Sequence, residues 1–351
     1  MPIIEDSIKI NINLLKEAES SGKYVDLHEY FVELAFDIIA RIAMGQRDSK
    51  QFKSEYCQIA VDTFAYVNNN IFDYIAFIFP WIGENILEPF VRATGKIRGD
   101  PNMILIDKLN KAVKQRKEER MKKIERREEE NEENLNNKNG NGTYNKKEKF
   151  ERCNTLEEMV LNCVLFLQAG FDTTANTLSL ISHNLVFNPQ VQKRLFEEIE
   201  EICGLEEGEI IDYEQLSKLK YMDAVLKETL RLCPIANDVV NRRCEETTTL
   251  GEITIEKGTY VSADLFTLHR DKKWLLNDNI NTQTEYYYPF GGGPRICIGM
   301  RLAMLDIKMV LVHLLRSFEL ERCSETFIKP NLTGQGVLNS GKIFVKLNLK
   351  K

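Results

Sequence analysis

Between Val25 and Gly45 apolar side chains recur three and four residues apart: Leu27, Tyr30, Phe31, Leu34, Ala35, Ile38, Ile39 and Ile42. This is the spacing of one helix face, and Gly45 supplies a stop. From residue 51 to 97 helical patterns alternate with an aromatic-rich apolar piece, 64–79, closed by Pro80-Trp81-Ile82-Gly83 and expected to pack in the core. Thr155 with Glu158 makes a capping-box pattern before the apolar run 159–167. A long helix is therefore expected to reach about Phe187, where Asn188-Pro189 stops it. Further helices are expected over 190–202, ended by Gly204, and over 217–232, ended by Pro234, with Asp212 or Ser217 as caps. A last helical pattern covers 300–318, and 253–263 is strand-like around a Glu256-Lys257-Gly258 turn.

The elements so placed make a mainly α chain with small β elements. One segment stands apart in composition. Residues 111–130 hold nine basic and six acidic side chains, and 131–144 is Asn-rich with Gly140 and Gly142. A solvated helix running into a disordered loop is expected, with 108–152 as a charged, Asn-rich, disordered segment between a helical region, 1–107, and a core, 153–351.

Composition narrows the function further. The 351 residues are 43% hydrophobic and 28% charged, the profile of an ordinary globular chain. With 47 basic against 53 acidic side chains, interleaved, no basic field exists to meet a phosphate backbone, so no nucleic-acid partner is expected. The eight cysteines (Cys57, Cys153, Cys163, Cys203, Cys233, Cys244, Cys297 and Cys323) form no C-x-x-C pair, which favours a reducing compartment over a disulfide or zinc framework. The most apolar stretch, 72–83, carries Asp73 and Pro80 and is too short to cross a bilayer, and no signal-peptide pattern opens the chain.

The sharpest local signal is Pro289-Phe290-Gly291-Gly292-Gly293-Pro294-Arg295-Ile296-Cys297-Ile298-Gly299, directly ahead of a helix. Backbone N–H groups and the helix dipole favour a thiolate there, and glycines let a large flat ligand approach the backbone. Thiolate is a ligand for haem iron. A phosphate-binding loop is excluded, because the segment lacks the Gly-Lys-Ser/Thr ending and does not match G-x-G-x-x-G. A bland buried cysteine beside a turn stays open.

A second signal, Ala169-Gly170-Phe171-Asp172-Thr173-Thr174, places an acid and hydroxyls in the middle of the long apolar helix. Gly170 makes room for a bulky group, and Thr173 can bond a carbonyl one turn back and open a groove for water. The residues alone leave open a solvent-facing Asp172 and a satisfied core hydroxyl at Thr173. In a third, Lys227-Glu228-Thr229-Leu230-Arg231, Glu228 and Arg231 lie three apart and can pair on one helix face.

AGFDTT, KETLR and PFGGGPRICIG, in that order, resemble the signature of the haem-thiolate monooxygenases, the cytochromes P-450 of microsomal type. The resemblance extends from about Val25 and is strongest over 155–318. It implies that Cys297 is the proximal iron ligand of a haem b, that Phe290 shields its sulfur, and that Gly291 and Gly299 shape the loop. It also implies Arg295 and Arg242 (or Arg243) as propionate contacts, with Glu228 and Arg231 as the structural pair below the haem. Ala169 and Gly170 would face its distal side, and Asp172 and Thr173 would steer protons to dioxygen. His269 would be a structural position, and His28 and His183 helix-face residues. The implied partners are an NADPH-dependent flavin reductase, dioxygen and an apolar small-molecule substrate, at the cytosolic surface of the endoplasmic reticulum.

Against that pattern the chain departs in three places. An N-terminal block with the anchor, first sheet and Trp-x-x-x-Arg contact has no counterpart, so an incomplete fold is expected. No arginine occurs from Leu275 to Glu285, where relatives complete the trio with Glu228 and Arg231. An apolar helix expected before Cys153 is replaced by the Asn-rich segment. An unpaired buried charge at the structural pair would cost several kcal/mol. This motivates the alternative reading of a shortened, non-catalytic member that cannot hold haem.

Overall fold

A computed structural model describes residues 2–69, 80–95, 99–136, 155–205, 211–237, 241–272, 286–334 and 336–350. The chain divides into two compact units, one formed by Met1–Ser54 with Ala169–Lys351, the other by Glu55–Gln168.

The larger unit opens on a helix that the sequence reading had not placed, α1 (Pro2–Ser20). Ile4, Ile8, Ile12 and Leu15 bury one stripe of it, a periodicity that was present but lies upstream of the segment read as family-like. After the two-residue strand β1 (Val25–Asp26), α2 (Leu27–Ala43) follows, capped by Asp26 and ended before Gly45, as its pattern predicts. The Asp26 carboxylate accepts from the backbone N–H of both His28, at 3.2 Å, and Ile343, at 2.9 Å, which ties the start of α2 to the C-terminal strand region. Between α1 and α2 lies a buried polar knot: Ser7 donates to Asp37 at 2.7 Å, and Arg41 donates to Ser7 at 2.8 Å and to Asp6 at 2.7 Å. Ser7 and Asp37 find partners in this knot, the condition for burying polar groups cheaply, while the buried Nε of Arg41 has none.

The smaller unit contains α3 (Glu55–Asn69), a short helical segment at 80–94 with a π turn over Gly83–Leu87, and α4 (Pro101–Asn136). α4 is the expected solvated helix, longer than its charged stretch and including 108–136 of the charged segment; residues 137–152, where a disordered loop is expected, lie outside the described residues. Lys, Glu and Arg are good helix formers, and i,i+4 contacts such as Lys111 with Asp107 at 3.0 Å and Gln115 with Glu119 at 3.1 Å add support, so a strongly charged segment can stay helical. The side chains of the aromatic piece at 64–79, and most of its backbone, lie outside the described residues.

α5 (Leu156–Phe187) is the expected long helix. Its capping box forms as read, with Thr155 N–H on Glu158 at 2.7 Å and Glu158 N–H on the Thr155 hydroxyl at 3.1 Å. The division between the two units falls within it. α6 (Pro189–Cys203) ends at Gly204. The helix expected over 217–232 is two: α7 (Tyr213–Lys218) and α8 (Lys220–Leu232). Asp212 is the cap, forming a reciprocal box with Gln215, and Ser217 lies inside α7.

β2 (Asn241–Arg243), β3 (Thr248–Leu250), β4 (Ile253–Ile255) and β5 (Tyr260–Ser262) form two antiparallel pairs, β2 with β5 and β3 with β4. The strand-like stretch is thus split at its Glu256-Lys257-Gly258 turn between two different partners. α9 (Met300–Ser317) follows the cysteine loop and passes directly into β6 (Phe318–Glu321). With β7 (Phe344–Leu349) and β1 it makes a three-stranded antiparallel sheet in the order β1-β7-β6, Val25 facing Val345 and Phe318 facing Leu349. This sheet was not anticipated, although Val345 and Leu347 alternate with exposed Lys346 as a half-buried strand requires. Phe36 of α2 meets Phe171 of α5 edge to face, centroids 5.7 Å apart, in the core of this unit.

Candidate functional site

The cysteine loop is built by its own backbone. Gly291 at φ 72° and Gly293 at φ 67° take left-handed conformations that side chains disfavour. The turns they permit are closed by hydrogen bonds from Gly291 N–H to the Tyr288 carbonyl at 3.0 Å, from Ile296 to Gly293 at 3.1 Å, and from Cys297 to Phe290 at 2.9 Å. Gly299 caps α9, and a Cβ on it would lie 3.9 Å from the Cys297 sulfur. Cys297 is exposed, whereas Cys57 and Cys203 are buried, so the bland buried-cysteine reading does not hold. Its neighbours Ile296 and Ile298 are exposed at 47% and 88%. A thiol between bare aliphatic side chains on a glycine-lined loop fits a large, flat, apolar ligand with a soft metal, and fits haem. On the inner side, a cavity of about 420 Å³ is walled by Leu216, Leu226, Phe290, Ile296, Met300 and Met304.

The middle of α5 presents two different faces. Ala169 is exposed and Thr173 is half-exposed, the Thr173 hydroxyl donating to the Ala169 carbonyl at 2.9 Å, one turn back, as its position predicts. The same back-bonding recurs from Thr174 to Gly170, from Thr177 to Thr173 and from Ser179 to Ala175. Such bonds compete with the helix ladder and tend to bend it. Asp172 faces inward and is only 6% exposed, which rules out the solvent-facing alternative. Burial pushes its carboxyl up to about 6, partly offset by a bond from Asn176. Gly170 departs from expectation: a Cβ there would come within 2.8 Å of Ile39 Cγ1, so the bulky group it admits is Ile39 of α2.

Glu228 and Arg231 pair on α8 through two 2.7 Å bonds, one from Nε and one from a terminal nitrogen. The remaining Arg231 nitrogen donates to the His269 carbonyl at 3.1 Å. The Glu228 side chain is 54% exposed. The expected penalty of an unpaired buried charge is therefore absent, because the acid keeps water contact and the base has its donors used. One of the motives for the non-catalytic alternative, the missing arginine, goes with it.

The cations expected at a haem edge lie on separate elements. Arg295 is exposed in the cysteine loop. Arg242 is exposed on β2 with one nitrogen folded onto the Asn241 carbonyl, and Arg243 lies over the Tyr260 ring at 5.8 Å. Two further residues matter locally, Asn176, which the sequence had not singled out, and His269, expected as a structural position. Asn176 bridges from the Asp172 carbonyl at 2.8 Å to the Ser340 N–H at 2.7 Å, and one i,i+4 step from Asp172 was the available signal. His269, treated as a structural position, receives the Tyr288 N–H on Nε2 at 3.0 Å; no local sequence signal marks that contact. His183 and His28 take helix positions as read, the former bonding the Phe327 carbonyl at 2.9 Å.

Comparison with known proteins bears on all of these residues at once. The family model described as Cytochrome P450 matches residues 1–347, so the likeness includes α1 and does not begin at Val25. A Caenorhabditis elegans protein named "Putative cytochrome P450 CYP13A7" is 34% identical over 374 residues, covering 99% of this chain and 71% of the relative. CYP13A8 of the same organism is 33% identical, covering 98% of this chain and 71% of its own length. For cyp-13B1, also from that organism, identity is 34% over 95% of this chain and 68% of the relative. With the glycine-built thiol loop, the paired Glu228 and Arg231 and the polar turn of α5 all inside the matched span, the chain belongs to the cytochrome P450 family, the haem-thiolate monooxygenases.

Proposed function

We propose that the chain is a haem-dependent monooxygenase that inserts one oxygen atom from dioxygen into an apolar small molecule, with Cys297 as the thiolate ligand. The observation that carries this reading is the exposed Cys297 thiol just ahead of α9, on a loop whose backbone is fixed by the bond from Cys297 N–H to the Phe290 carbonyl. When bound, haem supplies thiolate-ligated iron, whose electron donation favours O–O cleavage. The chain's own residues do the rest. Gly291 and Gly293 keep the loop thin, and Ile296 and Ile298 are the apolar side chains that would cover the group and exclude water. Arg295 and Arg242 are the cations available for its carboxylates.

Ala169 lies on the exposed face of α5, and Thr173 offers a hydroxyl one turn on. Asp172, its carboxyl raised by burial to about 6, holds a proton on part of the molecules near neutral pH and is the proposed proton source for the Thr173 side of the helix. The electron donor proposed is an NADPH-dependent flavin reductase. The proposed location is the cytosolic surface of the endoplasmic reticulum; among the described residues no helix is long and apolar enough to cross a membrane.

The test is the carbon monoxide difference spectrum of the reduced chain, expressed with haem supplied, beside Cys297→Ala. A strongly red-shifted Soret band that the variant loses is expected. An unchanged spectrum in Cys297→Ala would overturn the ligand assignment.

A further inference from the structure

We propose that His269 is a positioning residue for the cysteine loop, strapping it to the Glu228–Arg231 pair through both its imidazole and its carbonyl. The imidazole Nε2 accepts from Tyr288 N–H at 3.0 Å, and the carbonyl accepts from Arg231 at 3.1 Å. His269 itself is 4% exposed. The adjacent Tyr287 ring lies 5.3 Å from the imidazole, and its hydroxyl donates to the Lys227 carbonyl of α8 at 3.0 Å. Two consecutive residues at the root of the loop are thus fastened, one to α8 and one to His269. From there the path is short: the Tyr288 carbonyl takes Gly291 N–H, and the Phe290 carbonyl takes Cys297 N–H. With no arginine from Leu275 to Glu285, the second partner of Arg231 comes from His269.

Accepting from a backbone N–H requires a neutral ring with its proton on Nδ1. The surroundings enforce that state. Burial, aided by the charges of Arg231 and Arg270 and opposed by a bond to the Leu230 backbone, holds His269 below the ordinary histidine range. Glu228 is engaged by Arg231. Burial raises both the Tyr287 hydroxyl and the Cys233 thiol beside Arg270, leaving them neutral. A protonated ring would set N–H against N–H and release Tyr288, so acid opens the strap.

The inference rests on the haem reading only for its consequence at Cys297. On the full chain, nitrogen-15 NMR of the four histidine rings should show His269 protonated at Nδ1 and bare at Nε2 near neutral pH; an Nε2-protonated ring would overturn the strap. In His269→Leu, Tyr288 amide exchange should quicken about tenfold, and His269→Gln, which keeps an acceptor at similar reach, should restore it. With haem supplied, His269→Leu should lose part of the red-shifted carbon monoxide band that His269→Gln retains. A folded His269→Leu with slow Tyr288 exchange and a full band would overturn the proposal, as would failure of His269→Gln to restore protection. Should Tyr288 respond as expected while Cys297→Ala keeps its haem spectrum, the strap stands and the ligand assignment falls.

Discussion

The cysteine loop and the middle of α5 are both interruptions of regular structure, but they are made differently. In the loop the irregularity is local: Gly291 and Gly293 adopt backbone angles of their own, and the closing hydrogen bonds span three to seven residues. In α5 the helix continues, and its special character comes from what meets it, Ile39 against Gly170 and Asn176 beside Asp172. A locally made site can be recognised from a short string of residues. A site made by neighbours cannot, even when its own residues are legible.

Four experiments sharpen or break that contrast. The largest effect is expected for Gly170→Val, whose branched side chain has no room beside Ile39; a loss of about 2–3 kcal/mol in denaturant unfolding is expected. Combined with Ile39→Ala it should cost less than the sum of the two single changes. Strict additivity would mean that Ile39 is not what Gly170 accommodates.

Next is a pH effect. Burial raises the Asp172 carboxyl from its ordinary 3.8 to about 6, so the folded chain holds its proton to higher pH than the unfolded chain does. Below both values the acid is neutral in both states and contributes nothing. Between them the unfolded state ionises first, and stability falls as pH rises, by on the order of 2–3 kcal/mol in total before levelling off. Asp172→Asn should lose this slope between pH 4 and 6 in unfolding midpoints; a slope unchanged in the variant would remove Asp172 from the proton path.

Smaller is Gly291→Ala, which places a side chain at φ 72° with space around it, its closest neighbour a backbone oxygen at 4.0 Å. A cost of about 1–2 kcal/mol is expected, read as lower thermal stability and weaker haem retention. If it approached the cost of Gly170→Val, the loop would not be a local construction. The smallest change in stability is expected for Thr173→Val, under about 1 kcal/mol, because the lost bond is to a carbonyl still in the helix ladder. Product formed per electron consumed should nevertheless fall, with the carbon monoxide spectrum unchanged.

Legibility followed the same division. The capping box at Thr155, the stop at Gly204, the back-bond of Thr173 and the pairing of Glu228 with Arg231 were all readable, because each joins residues within a turn or so of each other. Helix α1 was missed despite its stripe, whereas the charged helix over 111–130 was legible because Lys, Glu and Arg are good helix formers, and it extends from Pro101 to Asn136. The Asp172 environment could not be read: solvent and core are equally consistent with an acid in an apolar helix until α2 and the Ser340 turn are placed around it.

By itself the sequence determined the helical class, the thiol loop with its glycines, and the order of the three motifs, since these rest on spacing and on backbone preferences of single residue types. Only the tertiary structure decided that Gly170 admits Ile39, that Asp172 is buried with a raised carboxyl, that β1 and β7 pair across the chain, and that His269 fastens the cysteine loop to Arg231. Those contacts join residues tens to hundreds of positions apart, and burial, desolvation and hydrogen-bond partnership exist only once such distant segments are packed together.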